Sequence, residues 1–141
     1  MGATDDLARL KDAYTRWHKS RGADENAWLD LMADHVRVLS LAAGAPGAEF
    51  TREVRSKDDM RRYFAGLRDG WQMIHYTTDH FIVDGDRVAV MGTTHWRNRK
   101  TARELNTPKA DFIRFEHGKI VEFYEFYDTA ALMAALPGAG A

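Results

Sequence analysis

The sequence predicts an α+β fold, and three observations carry that reading. Apolar residues recur at helical spacing through the first half, and the period changes to two from Trp71 onward. The 141 residues amount to one domain. Helices first and a meander afterwards imply helices packed on one face of a curved, mostly antiparallel sheet.

Each element has its own signal. From about Asp5 to Ser20, Leu7, Leu10, Tyr14 and Trp17 form one apolar stripe, with Tyr14 and Trp17 facing inward. Asp24 is a good N-cap for a second helix that buries Ala27, Trp28, Leu31 and Met32. "HVRVLSL" reads as a strand, "AAGAPGAEF" as a loop and "FTREV" as a short strand. Ser56 with Asp59 resembles a capping box, opening a third helix on which Met60, Tyr63, Phe64 and Leu67 repeat until Gly70. Four strand-like runs follow: "MIHYTTDHFIV", "RVAVMGTTHWRN", "ELNTPKADFIRF" and "KIVEFYEFY". Asp128 and Thr129 cap a last short helix stopped by Pro137. The single domain therefore has its core over about residues 5–136, with a tail at 137–141 expected to be disordered.

Composition narrows the function. A chain of this size buries roughly 70% of the surface its unfolded form exposes, enough for a core with a hollow in it. The formal net charge of -1 gives no electrostatic reason to expect nucleic acid or acidic membranes. The absence of cysteine excludes disulfides and thiolate catalysis. No apolar run approaches the ~20 residues of a membrane span, and "MGATDDLARLKD" is acidic where a signal peptide is basic. The expectation is a cytoplasmic protein with small molecules or copies of itself as partners.

The stretch "KADFIRFEHGKIVEFYEFYD" places charges among residues that otherwise belong in a core. A two-residue turn would need His117 at positive φ, so a three-residue loop, Glu116-His117-Gly118, is expected, with only Gly118 left-handed. That register sets Phe115 opposite Lys119, Ile113 opposite Val121, Asp111 opposite Phe123 and Lys109 opposite Glu125. One face then carries Lys109, Asp111, Ile113, Phe115, Val121, Phe123, Glu125 and Tyr127. Phe112, Arg114, Ile120, Glu122, Tyr124, Phe126 and Asp128 fall on the other. The first face is apolar at its turn end and charged at the far end, as in a pocket with a greasy wall and polar groups at one level. A cross-strand ion pair accounts for the same charges without any function. On the second face Phe112, Tyr124 and Phe126 form an aromatic patch that predicts a homodimer through the sheet.

At this point the chain resembles the nuclear transport factor 2-like superfamily. That is the cone-shaped α+β fold of SnoaL-like polyketide cyclases, ketosteroid isomerases, scytalone dehydratases and limonene epoxide hydrolases. The resemblance rests on helix order, on "ADHVRV", on "DGDRVAV" and above all on "ADFIRFEHGKIVEFYEFYD", and it is strongest to the bacterial SnoaL-like, ketosteroid isomerase-related group. It implies that Tyr14 and Asp111 match the oxyanion-hole pair of the steroid isomerases, whose catalytic base falls on Ser40. Serine is no proton shuttle at neutral pH. From the epoxide hydrolases, Lys109, Asp111 and Glu125 match an acid, cation and base arrangement, while the water-positioning pair falls on Val38 and Ser40. From the dehydratases, histidines of the middle strands match among His75, His80 and His95.

The resemblance and the sheet face together name Asp111, Glu125, Tyr14 and Lys109 as candidate catalytic residues. Trp17, Ser40, His80, His95, Ile113, Phe123 and Tyr127 are the candidate pocket residues. No metal and no cofactor is expected. Three readings follow: cofactor-independent acid–base chemistry on a small hydrophobic substrate, a dimer that binds a hydrophobic ligand without turning it over, and a dimeric scaffold without a usable cavity.

Overall fold

The computed structural model describes residues 3–138; residues 1–2 and 139–141, where most of the expected tail falls, lie outside the described residues. Helix α1 spans Ala3–Lys19 with Leu10, Ala13, Tyr14 and Trp17 buried. The second helix, α2 (Asn26–Leu29), is a single turn. Asp24 Oδ1 accepts from Ala27 N at 3.2 Å, but Leu31 and Met32 do not continue the helix. The Leu31 carbonyl instead accepts from Ile120 N at 2.8 Å, so pairing with the sheet ends the helix. Strand β1 (Met32–Ser40) follows.

The expected short strand "FTREV" is mostly a 3-10 turn, Glu49–Thr51. Thr51 Oγ1 donates to the Ala48 carbonyl at 2.6 Å and accepts from Gly44 N at 3.0 Å, which closes the loop on itself. Only Val54 reaches the sheet, as one antiparallel bridge to Val38. Helix α3 (Lys57–Gly70) is N-capped by Ser56, whose Oγ accepts from Asp59 N at 3.1 Å. Such a cap contributes about 1 kcal/mol. Its Met60, Tyr63 and Phe64 are buried.

Strands β2 (Trp71–Asp84), β3 (Arg87–Asn98), β4 (Glu104–Glu116) and β5 (Lys119–Tyr127) form the predicted antiparallel meander. Sheet order is β1-β5-β4-β3-β2, with β1 parallel to β5, so the sheet is mixed and open. Helix α4 (Thr129–Ala135) is capped by Asp128, whose Oδ1 accepts from Ala131 N at 3.1 Å. No described helix is long and apolar enough to cross a membrane.

The β4–β5 hairpin departs from the expected register. Both His117 (φ 52°) and Gly118 (φ 77°) are left-handed, so the loop has two residues, with Glu116 opposite Lys119 and Phe115 opposite Ile120. A bulge at Val121 then restores the pleat, setting Arg114 opposite Glu122, Ile113 opposite Phe123, Asp111 opposite Glu125 and Lys109 opposite Tyr127. Compared with the expected pairing, β5 has slid by two residues. A slide of two keeps the faces, so Lys109, Asp111, Glu125 and Tyr127 still point the same way. Ile120 is the exception, being fully buried rather than on the outer face.

Candidate functional site

Alternation along β4 turns Lys109 and Asp111 toward the helices, and the register brings Glu125 of β5 opposite Asp111. Both carboxylates are buried, Asp111 at 2% exposure and Glu125 at 9%. Lys109 Nζ stands between them, 2.5 Å from Asp111 Oδ1 and 3.4 Å from Glu125 Oε2. Tyr14 of α1 donates to Asp111 Oδ2 at 2.5 Å, and Tyr63 of α3 donates to Glu125 Oε1. Each carboxylate oxygen thus faces a phenol or the ammonium. The ammonium also lies 5.6 Å from the Tyr76 ring centroid and 5.7 Å from that of Phe123.

Burial sets the electrostatics. It pushes the Asp111 carboxyl above its ordinary value, assisted by the charge of Glu125 and opposed by Lys109 and Tyr14. Burial alone would pull Lys109 down, but Asp111, Tyr76 and Glu125 outweigh it and hold the ammonium well above its ordinary value. Desolvation, then the neighbouring carboxylates, raise Tyr14 and Tyr63 well above the usual phenol range. At neutral pH both phenols are therefore donors, and the lysine is a cation.

A cavity of about 100 Å³ lies between the helices and this face of the sheet. Half of its lining residues are aromatic, with Trp17, Trp28, Tyr63, Trp71, Tyr76 and Trp96 among them. Lys109, Glu125 and Tyr127 form the polar level, with Phe123 beside them. Tyr127 OH lies 2.5 Å from Ser40 Oγ and accepts from Ala42 N at 3.3 Å.

Of the residues anticipated for this site, Trp17, Lys109, Phe123, Glu125 and Tyr127 line the cavity. Asp111, bonded to both Tyr14 and Lys109, does not line it, nor does Tyr14, and Ile113 and Ser40 are buried in the surrounding core. His80 and His95 stand elsewhere, which corrects their assignment to the pocket. Thr94 and Trp96 take the inward positions of β3, so His95 between them points away and bonds to Glu104 at 2.5 Å. On β2 the pairing slips between Thr78 and His80, and His80 ends exposed beside the exposed Met91.

Tyr63 and Tyr76 were not anticipated. Tyr63 carried a readable signal, because a tyrosine on the buried stripe of α3 needs a partner for its hydroxyl. Nothing in the sequence pairs Tyr76 with Lys109. On the outer face Phe112 and Phe126 are 49% and 43% exposed and meet edge to face at 5.5 Å, with Tyr124 half-buried beside them.

Comparison with known proteins gives a consistent picture of ancestry. No curated protein matches the sequence. Solved structures match across nearly the whole chain. An NTF2-like protein of unknown function from Burkholderia pseudomallei is 21% identical, with 95% of this chain and 98% of that one covered at a TM-score of 0.84. An NTF2-like protein from Burkholderia thailandensis is 24% identical, with 96% and 97% covered at a TM-score of 0.78. TerC, co-crystallised with polyporic acid, is 17% identical, with 93% and 97% covered at a TM-score of 0.76. These likenesses establish a shared fold. The model of the SnoaL-like domain matches residues 10–123. With most of the chain inside that match, the protein shares the fold of those NTF2-like structures and belongs to the SnoaL-like domain family.

Proposed function

We propose that the protein carries out acid–base chemistry on a small hydrophobic molecule with its own side chains alone, as an isomerase, cyclase, dehydratase or hydrolase. One observation carries the reading: Glu125 reaches the wall of an aromatic cavity while Lys109, fixed from behind by Asp111, stands at its other oxygen. Glu125 takes a proton from the bound molecule and returns it elsewhere. The Lys109 ammonium faces the negative charge that develops meanwhile. Asp111 and Tyr14 position that ammonium. The co-crystallisation of TerC with polyporic acid supports a cavity that accepts an organic ligand.

A second reading, a protein that binds such a ligand without turning it over, has its own support. Both oxygens of Glu125 are already engaged, Oε1 by the Tyr63 hydroxyl and Oε2 by the Lys109 ammonium in an ion pair at 3.4 Å. Screening enolisable ketones and epoxides against wild type and Glu125→Gln separates the two. The catalytic reading expects turnover that the variant abolishes without loss of fold. Turnover unchanged in Glu125→Gln would overturn it, and ligand bound but never converted would establish the second reading.

The proposal extends to a homodimer paired through the outer sheet face. It rests on the exposed Phe112–Phe126 pair. Phe126→Glu is expected to give monomers by light scattering. A wild-type monomer, or a variant dimer, would remove that interface.

A further inference from the structure

We propose that the aromatic cavity and a neighbouring polar cleft are two chambers of one ligand site, divided by Phe50. The site takes a molecule with an aromatic head and an anionic tail several bonds away. This rests on the inner cavity being a ligand site, as above, and adds where the ligand's charge must lie.

The inner cavity, about 100 Å³, falls well short of the roughly 300–1,000 Å³ typical of ligand pockets. A second cleft of about 230 Å³ adjoins it, and Phe50 and Tyr63 belong to both walls. Their rings meet edge to face at 5.4 Å. Tyr63 is tethered through its hydroxyl to Glu125, whereas Phe50 has no polar tether and sits half-buried on the 3-10 turn. Its seat depends on Gly66 of α3, where any Cβ would collide with the Cβ of Phe50. Phe50 is therefore the part of the partition that can turn aside for a longer ligand.

Charge fixes the ligand's direction. Inside, the only ammonium at the polar level, Lys109, is committed to two carboxylates, so an anion entering head first would meet no uncommitted cation. In the outer cleft the carboxylates are occupied: Glu53 accepts from Arg37 at 2.6 Å and Arg55 at 3.1 Å, and Asp59 from Arg62 at 2.5 Å and Arg55 N at 3.0 Å. Arg52 differs, giving only its Nε to the Glu49 carbonyl at 3.3 Å. Its guanidinium keeps donors for a carboxylate or sulfonate.

The test uses 4-phenylbutanoate and its uncharged analogue 4-phenylbutan-1-ol, titrated calorimetrically into wild type, Arg52→Gln and Phe50→Ala. Wild type is expected to bind the acid about 10-fold more tightly than the alcohol, the increment of a charged hydrogen bond. Arg52→Gln lowers the acid to the alcohol's affinity and leaves the alcohol unchanged. Phe50→Ala, or Phe50→Leu should the alanine variant unfold, tightens both. Equal binding of acid and alcohol by wild type would overturn the two-chamber site while leaving the inner cavity as a ligand site. Binding of neither probe, even with Phe50 shortened, would remove the inner cavity reading and this one with it.

Discussion

Strands β4 and β5 carry two clusters of charge, one on each face, and they behave oppositely. On the outer face Arg114 bonds to Glu122 and Glu116, both at 3.1 Å, and Arg87 reaches Glu122 at 3.4 Å. Burial is the largest single influence on Glu122 and pushes it up, but the two arginines together outweigh it and hold the carboxyl below its ordinary value. On the inner face the pairing of Lys109 with Asp111 is closer, yet burial wins and Asp111 rises. The same residue types a few positions apart are a solvated network in one case and a desolvated one in the other. Distance alone therefore says little about what an ion pair contributes; the medium around it decides.

Three variants put that contrast to work, beginning with the largest effect. Lys109→Met leaves two buried carboxylates without their cation and is expected to lose about 3–5 kcal/mol at neutral pH in urea unfolding. The loss should shrink on acidification, as Asp111 takes up a proton. A small loss at every pH would make the inner cluster equivalent to the outer one.

Asp111→Asn is expected to change stability by about 1–2 kcal/mol, with its signature in the pH dependence. The folded carboxyl lies above its ordinary value of 3.8, so the native state binds more protons than the unfolded chain just above that pH. The stability Asp111 contributes is complete below 3.8 and is lost as pH rises through the folded value. The variant should flatten that fall in urea curves taken from acid to neutral pH. Parallel curves would group Asp111 with the outer carboxylates.

Arg114→Ala should cost about 1 kcal/mol or less, and less still in added salt. A larger, salt-independent loss would mean that the outer network is shielded from water.

The sequence foretold the class of fold because each strand in the second half announces itself by period two and by turn residues, as at Asp84-Gly85. It also foretold that Lys109, Asp111 and Glu125 share a face, although the reasoning placed the turn wrongly. His117 adopts the conformation judged unfavourable for it, which shortens the loop by one residue, and the bulge at Val121 adds one back. Parity survived; register did not. What escaped were features fixed by distant partners. Ile120 ends α2 early by taking the Leu31 carbonyl, and the inward turn of Thr94 and Trp96 sends His95 outside. The cavity wall was half visible, since Trp28, Tyr63 and Phe64 read as core and instead surround the space.

The sheet order governs the timing of assembly. Strand β5 is the last strand in the chain but sits inside the sheet, between β1 and β4. During synthesis β2, β3 and β4 can pair as soon as they emerge, being joined by short turns. Val38 must wait for Phe123, and Ser40 for Glu125. Until then β1 has an unsatisfied edge, and Lys109 and Asp111 have no opposite strand. Closing so long a loop is the slow kind of step, and it exposes apolar surface meanwhile. A nascent chain stalled before residue 119 should therefore be held by chaperones, and the Lys109, Asp111 and Glu125 cluster is complete only once the final strand has threaded into place.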